Sequence, residues 1–426
     1  MNLTSKYSTK QILLFAGLLI LIIVYGISIM NRHTDYWVFE LAAKRLLGLE
    51  SITRYENMAY SYPPFFAVII MPVTLLPTVL GSWIFYGLSW IAFGFSVKYV
   101  MLIFETVTEK LNIRSSDKKI IVVVSFLLAG RYILNNFEHL QFDVFVFLTL
   151  ILAVHLYLKK KIGSAAFFLA VSISLKVTPL LLFVYFVYKK EFRLIFLTSI
   201  ILLGLNLIPE LIFGIQRGVS YNWEWIKAVV LKMDSQHLSS DEIAAIWPPN
   251  SIMNQSIKPW IYRLFTDNSV SIKGMDYQPN VLGLSPIISS RMASVLNLFL
   301  LLSSAVMIYK NKINSQYEFF KQISIVLCLM LLISPVSSKP HFITLVCSHL
   351  VIFIELTGRN YRKKYFYGIT ALLFVLGFLP PLLGSWVDQI CQMIGFTTLH
   401  ALIVWMLLIR IQISTISKQK IQTQLN

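Results

Sequence analysis

An aspartate beside the first long apolar segment has the clearest chemical potential in this chain. Asp35 follows that segment directly and stands next to Tyr36 and Trp37. A carboxylate in this position can act as a general base that deprotonates a hydroxyl, and such catalysis typically contributes about 10² to 10⁴ in rate. Burial and neighbouring charges would set its pKa. The alternative is a solvated loop aspartate, because interfacial loops commonly carry charges beside Trp and Tyr.

Two lysines and a histidine indicate a binding site for an anion. Lys176 interrupts an apolar stretch, and a cation at the bilayer centre costs roughly 2.5 to 3.5 kcal/mol. A phosphate group would offset that cost as a point-charge partner, and so would a lysine chain that extends to the membrane surface. Lys339 and His341 share the motif Ser-Ser-Lys-Pro-His, which can contact a phosphate or a sugar hydroxyl, or form an ordinary polar turn.

Further polar residues stand between two apolar runs, where a plain hairpin needs none. Arg131 lies near the end of one run, and Gln141 lies just before the next. Glu138 and Asp143 in the same stretch are rival acid or base candidates, since both are carboxylates.

Tyrosine and amide side chains supply candidate sugar contacts. Tyr62 precedes two prolines and can lie at headgroup level with its hydroxyl available, although the same pattern suits a purely structural turn into the membrane. Asn254 and Gln255 belong to a long polar segment rich in Trp, Asn, Pro and Ser, where amides can bind sugar hydroxyls. Loop structure explains them equally well, and Asn254 also begins a short glycosylation sequon.

Several chemical classes lack their sequence signals. The chain has no Gly-rich phosphate loop, no Asp-x-Asp pair of the kind found in metal-dependent nucleotide-sugar enzymes, and no cluster of metal-ligand spacing. Cys328, Cys347 and Cys391 all fall in apolar runs without the spacing of a disulfide framework or a zinc site. We therefore expect no metal and no cofactor, and a lipid-borne rather than a soluble nucleotide donor.

Membrane helices must position these residues. The chain is 57% hydrophobic and 13% charged, and its mean hydropathy is +0.70. Apolar runs of roughly 17 to 25 residues recur, enough for helices to cross a hydrocarbon core of about 30 Å. We expect an all-α, polytopic helix bundle of about 12 spans, forming a single integral membrane domain over residues 1–426. The net charge of +17 reflects basic clusters between apolar runs, which indicate membrane topology rather than nucleic-acid binding.

Basic clusters also set the expected topology. With these clusters in the cytoplasm, both termini are cytoplasmic, and the loops 31–80 and 215–290 lie on the outer side, where we expect them to cap an active site in the cell membrane. Residues 63–77 should form a re-entrant or interfacial segment, and a break near Lys176 and Pro179 should reverse the chain. The predicted helices lie near 12–30, 80–104, 119–134, 140–158, 162–175, 178–188, 193–214, 291–309, 319–335, 341–357, 365–383 and 390–410.

Taken in order, these motifs resemble glycosyltransferase family 87, the polyprenyl-phosphate-dependent, GT-C-type membrane transferases that include alpha-1,2-mannosyltransferases. The likeness spans roughly residues 30 to 355 and rests on Asp35, Tyr62-Pro63-Pro64, Pro72, Leu76-Pro77, Gln141, Lys176, Pro179, Asn254-Gln255-Ser256, Ser334-Pro335 and His341.

This resemblance implies a GT-C-type bundle that transfers a sugar from a polyprenyl-phosphate carrier to a glycolipid or glycan acceptor. Asp35 matches the acidic residue of the family's first outer loop, which is taken as the base that activates the acceptor hydroxyl. Lys176 and His341 match positions expected near the carrier phosphate, and charge leads us to add Arg131 and Lys339. Mannose is the sugar most often associated with the family.

One motif departs from the family pattern. Where the family commonly has Gly-Gln-x-Asn, this chain has Leu140-Gln141-Phe142-Asp143, which keeps the glutamine but loses the glycine and the amide. Donor or acceptor preference can differ accordingly.

Three other functions remain open at this point. Another lipid-linked sugar, such as a pentose, would use the same residues. A transporter or flippase should place ionisable residues near the midplane of broken helices and show inverted repeats, whereas the polar groups here gather towards one side. A non-catalytic scaffold for envelope assembly would tolerate the loss of Asp35.

Overall fold

The computed structural model describes residues 8–32, 34–53, 60–215, 220–231, 248–358 and 363–425, and it is 77% helix and 2% strand. Helices α1 to α9 span Thr9–Met30, Tyr36–Leu47, Pro64–Thr74, Thr78–Thr108, Ser115–Glu138, Asp143–Leu158, Ile162–Leu175, Leu180–Tyr188 and Phe192–Phe213. Helices α10 to α18 span Tyr221–Trp225, Ile257–Phe265, Pro286–Lys310, Gln316–Ile333, Leu345–Gly358, Lys363–Gly377, Leu379–Leu382, Ser385–Ile394 and Phe396–Leu425.

Three smaller elements complete the described chain. A π-helical turn, Ile226–Val230, follows α10, and a 3₁₀ turn, Lys339–Thr344, leads into α14. Strands β1 (Val270–Ile272) and β2 (Met275–Tyr277) form an antiparallel hairpin. Short ordered pieces therefore replace much of the long polar loop predicted after α9.

The chain is an all-α, polytopic membrane protein, as predicted. Each of the 12 predicted helices has a helical counterpart. Seven helices in the described ranges are long and apolar enough to cross a membrane by themselves, and Phe15–Met30, Pro64–Thr74, Asp143–Leu158 and Ile162–Leu175 are shorter apolar segments. The total of about 12 spans stays a prediction, since it includes these shorter helices.

Central and peripheral helices differ in what their apolar side chains contact. In α13, 83% of the apolar window is buried inside the protein, whereas in α9 only 11% is. Leu203 and Leu211 of α9 are mostly exposed. Because lipid tails are as apolar as leucine, such side chains are satisfied by the bilayer. The bundle therefore has an interior of its own around α13 and α14, and a ring of lipid-facing helices.

Helix α2 is an element that the sequence interpretation missed, because we expected an extended loop there. Its buried face carries Tyr36, Phe39, Ala43 and Leu46, whose spacing of three and four residues marks one side of a helix. Lys44 in its last turn interacts favourably with the helix carboxyl end. Helix α2 packs on α3, which is about 16 Å long, too short to cross a core of about 30 Å. The expectation of an interfacial segment at α3 thus agrees with its length.

Breaks in the helices turn the chain at the end of the bundle. Lys176 is extended between α7 and α8, with φ −157° and ψ 134°, at the predicted reversal. The helix predicted over 390–410 is in fact divided: α17 ends at Gly395, which has φ +95°. A Cβ atom there would lie 2.1 Å from Trp260 Cδ1, so only glycine fits this turn. Helix α17 consequently ends at this turn instead of continuing into α18.

Five connections meet at that end, as the charge pattern predicted for most of them. They follow α1, α5, α7, α13 and α16, and they are joined by side-chain and backbone contacts described below. The basic clusters at Lys110, Lys159, Lys189 and Lys310 follow the opposite ends of their helices. Residues 54–59, 216–219 and 232–247 of the two predicted cap loops lie outside the described residues, so the cap itself stays a prediction.

Candidate active site

Asp35 begins α2 at the end of the bundle where the connections meet. Its backbone N–H donates to the carbonyl oxygen of His139 at 3.0 Å, and its carboxylate accepts a hydrogen bond from Nε2 of Gln141. Burial raises the pKa of Asp35 from 3.8 to about 6, although Gln141 and Lys176 act against this shift. The group is thus mostly ionised at neutral pH, yet far more basic than an exposed aspartate. These properties suit a general base.

Gln141 links Asp35 to Tyr62. Its side-chain oxygen accepts from the Tyr62 hydroxyl at 3.3 Å, which turns its amide nitrogen towards Asp35. The preceding residue, Leu140, has φ 48°, a left-handed conformation that costs an L-residue roughly 1 to 2 kcal/mol. Glycine, which the resembled family commonly carries at this point, would adopt that conformation without the cost. Leu140 therefore adopts here a conformation that glycine would adopt more easily.

Lys176, Asp143 and His341 form a buried charged cluster beside this base. Lys176 Nζ lies 2.7 Å from Asp143 Oδ1, and His341 Nε2 lies 3.4 Å from the same oxygen. Lys176 also contacts His341 and lies 5.2 Å from the ring centre of Tyr62. His341 Nδ1 accepts from the backbone N–H of Ser338 at 2.8 Å, so the proton of the neutral ring is on Nε2. The cluster thus brings together one cation, the Lys176 ammonium group, and one neutral donor, the His341 Nε2–H group.

Arg131 and Lys339 belong to a second cluster, organised around Asp388. Arg131 Nη2 and Lys339 Nζ lie 3.1 and 2.5 Å from the same oxygen, Oδ2 of Asp388. Arg131 also pairs with Glu138 at 3.0 Å, and Arg32 pairs with Glu138 at 3.3 Å. The 3₁₀ turn presents Lys339 to this cluster and His341 to the first one. The structure thus places the four predicted phosphate-binding residues in two neighbouring groups.

Asn254 and Gln255 lie close by but are occupied by backbone groups. The Asn254 side chain donates to the Pro335 carbonyl at 2.8 Å and accepts from the Ser337 N–H at 3.0 Å. The Gln255 side chain donates to the carbonyl of Gln392 at 2.9 Å. The Asn254 side chain therefore holds the connection before the 3₁₀ turn, and the Gln255 side chain holds α17. Their direct contact with substrate stays a prediction.

Asp388 is the site residue that sequence reasoning missed. It lies on α17, between two predicted helices, and is joined to Arg131 across 257 positions of sequence. A lone acidic residue in an apolar stretch was the available signal. Within the described ranges, no group of three His, Cys, Asp or Glu side chains could hold a metal ion.

Comparison with models of known protein families identifies a match. A family model, described as Glycosyltransferase family 87, matches residues 60–335. The comparison with curated proteins finds no match. Tyr62, Gln141 and Lys176 fall inside the matched range, whereas Asp35 precedes it and His341 follows it.

Proposed function

We propose, from the premise that this chain belongs to glycosyltransferase family 87 and is a membrane glycosyltransferase, that it moves a sugar from a polyprenyl-phosphate carrier to an acceptor hydroxyl. The acceptor is a glycolipid or a glycan. The observation that carries the proposal is the position of Asp35, a basic, half-buried carboxylate joined through Gln141 to Tyr62, beside the buried cation Lys176.

The reaction is a single inverting displacement. Asp35 takes the proton of the acceptor hydroxyl while the oxygen of that hydroxyl bonds to the anomeric carbon of the donor sugar. The bond between that carbon and the phosphate oxygen breaks, and the electron pair leaves with the polyprenyl phosphate. Positioning and electrostatics supply most of the barrier reduction.

Lys176 and His341 stabilise the departing phosphate. Lys176 supplies a full positive charge in a buried setting, with only 14% of its side chain exposed, where charge interactions are stronger than in water. His341 supplies the N–H of its neutral ring. Arg131 and Lys339 add positive potential from the neighbouring cluster, while Tyr62 and Gln141 orient the base and the incoming hydroxyl.

The site faces the non-cytoplasmic side in this proposal. Basic clusters such as Lys159 to Lys161 lie at the opposite ends of the helices, and the positive-inside rule assigns those ends to the cytoplasm. Both termini are then cytoplasmic, in a plasma or inner membrane. The polar groups lie at one end of the bundle rather than at its midplane, which favours a transferase over a transporter or flippase.

We propose mannose as the transferred sugar, with a pentose as the alternative. Purified full-length protein in detergent should be incubated with polyprenyl phosphates carrying mannose, glucose or arabinose, and with a membrane glycolipid extract. We expect transfer from one lipid donor and a loss of about 10² or more in Asp35→Asn. Transfer only from nucleotide sugars would overturn the donor assignment.

Stability separates a catalytic loss from an unfolded variant. Because burial raises the pKa of Asp35, its protonated form is favoured in the folded state, and stability is lost as pH rises through about 6. Asp35→Asn removes that charge, so at pH 7 it should unfold at the same or a higher temperature than the wild type. Asp276→Asn, on the exposed hairpin, is the matched control and should keep full activity. Unchanged transfer by Asp35→Asn would refute the base.

A further inference from the structure

A narrow cleft lies behind the Lys176 cluster, between α6, α13 and the 3₁₀ turn. Its volume is about 10 Å³, and its wall is polar at Asp143, Ser337 and His341 and apolar at Phe147 and Met330. A space of this size holds about one water molecule. It is therefore large enough for one hydroxyl group and too small for a whole sugar ring.

Two polar atoms of this wall have no hydrogen-bond partner among the residues that the structure describes. They are Oδ2 of Asp143 and Oγ of Ser337. Both residues are buried, with 4% and 1% of their surface exposed. Buried polar atoms in proteins are nearly always satisfied, so two such atoms on residues that line one small space point to a group that binds between them.

The hydrogen-bonding properties of these two oxygen atoms determine which chemical group can bind between them. Oδ2 of Asp143 is a carboxylate oxygen, which accepts hydrogen bonds and repels anions, whereas the Ser337 hydroxyl both donates and accepts. A hydroxyl can donate to Asp143 and accept from Ser337 at the same time. A phosphate oxygen cannot, because it would meet the negative charge of Asp143.

Asp143 places this hydroxyl close to the residues that are assigned to the donor phosphate. Its other oxygen, Oδ1, is held by Lys176 and His341, which the proposed function assigns to the donor phosphate. A hydroxyl bound at Oδ2 thus lies beside that phosphate, within reach of the sugar attached to it. We propose that Asp143 and Ser337 bind one hydroxyl of the transferred sugar and select donors that carry it, an inference that rests on the proposed function.

Asn254 and Gln255 of the long polar segment form hydrogen bonds that fix the position of Ser337. Ser337 is fixed through its backbone: its N–H donates to Asn254 Oδ1 at 3.0 Å, and its carbonyl accepts from the Gln255 N–H at 2.7 Å. Asn254 and Gln255 are therefore positioning residues, which act on the sugar through Ser337.

Binding of lipids with and without a sugar tests the pocket. The affinities of bare polyprenyl phosphate and of its mannose, glucose and arabinose derivatives should be measured on full-length protein by tryptophan fluorescence. We expect wild type to bind at least one sugar-bearing lipid more tightly than the bare lipid. Ser337→Ala should weaken that binding about 5- to 10-fold and leave the bare lipid unchanged. Ser96→Ala, at a buried serine far along α4, is the control.

Deoxy donors identify the hydroxyl. A donor that lacks it should bind wild type and Ser337→Ala equally, because the partner of Ser337 is already missing. Equal weakening of the bare lipid would make this a phosphate site, and no change with any lipid would leave only a water site; either result overturns the inference. Failure of the proposed function is separate, since it appears as absent transfer by wild type whatever the binding data are.

Discussion

Two buried polar networks in this protein differ in whether they are complete. In the bundle interior, the Tyr132 hydroxyl lies 3.0 Å from His400 Nδ1, His400 Nε2 lies 3.0 Å from His349 Nε2, and His349 Nδ1 lies 3.3 Å from the Ser125 carbonyl. One placement of protons satisfies the whole chain: Tyr132 donates to His400, His400 to His349, and His349 to the carbonyl. This network joins α5, α14 and α18 and has no ring nitrogen to spare.

The network at the end of the bundle is incomplete by comparison. Within the described ranges, Asp143 Oδ2 and Ser337 Oγ lack hydrogen-bond partners, and burial raises the pKa of Asp35 to about 6. Networks that only hold helices together gain from full satisfaction, whereas a binding site must keep groups free for its ligand. In the second network the unpartnered atoms lie on two residues that line one cleft, so substitutions in the two networks should have different consequences.

The largest expected difference is between two buried lysines. In the proposed function Lys176 stabilises the departing phosphate, so Lys176→Met should reduce transfer per folded molecule about 10²- to 10³-fold. Lys321 is more deeply buried, with 2% of its side chain exposed against 14% for Lys176. Glu318 at 2.6 Å and the Thr415 hydroxyl at 3.0 Å contact it at the other end of α13. Lys321→Met leaves acidic groups unpaired and should destabilise the fold by about 3 to 5 kcal/mol.

Initial rates per folded molecule, together with thermal unfolding, separate these two effects. Transfer by folded Lys321→Met should stay near that of wild type. A similar catalytic loss in both lysine variants would break the contrast between site and scaffold.

The pH dependence of transfer should report the raised pKa of Asp35. The base works only when ionised, so kcat/KM should rise with pH, reach half its maximum near pH 6 and level off above it. An exposed aspartate would give a midpoint near pH 4. Gln141→Ala removes a hydrogen bond that lowers this pKa, so its profile should shift to higher pH. Identical profiles for wild type and Gln141→Ala would show that another group titrates.

Sequence patterns predicted the helices better than the site. Long apolar runs and basic clusters are local features, so they located every long helix and placed Asp35, Lys176 and His341 on one side. Asp388 was missed because its contacts with Arg131 and Lys339 join residues that are far apart in the sequence and exist only in the folded chain. The unpartnered atoms of Asp143 and Ser337 likewise arise from tertiary packing, which hydropathy does not encode.

Asn254 and Gln255 show a second limit of prediction from sequence, because their residue types suggested contacts that the fold does not leave free. Their types suggested sugar contacts, and they do lie near the site, but their amides are committed to backbone groups. Residue type predicted what these side chains could bind, whereas the fold decided what they bind in the free protein.

A smaller effect is expected from the second cation cluster. Lys339→Gln leaves Asp388 paired with Arg131, so the cluster should fold, but it removes one positive charge beside the donor phosphate. We expect the KM for the lipid donor to rise about 3- to 10-fold with little change in kcat, because the charge acts at longer range than Lys176. Lys273→Gln on the exposed hairpin is the control. A large fall in kcat would move Lys339 into direct contact with the reacting phosphate.

The smallest effect on transfer is expected in the complete network. A Cβ atom on Gly377 would lie 2.4 Å from His400 Nδ1 and 3.3 Å from the Tyr132 hydroxyl, so Gly377→Ala must push the histidine aside. Such overpacking typically costs about 1 to 3 kcal/mol. At Gly94 nothing lies within 4 Å of the added atom, and Gly94→Ala should be neutral or slightly stabilising in its helix. Unfolding temperature should therefore fall for Gly377→Ala alone, while the folded fraction of both variants transfers sugar at the wild-type rate. If Gly377→Ala instead lowered the rate at constant folded fraction, the histidine chain would be coupled to the site through Tyr132 and its neighbour Arg131, and the two networks would act as one.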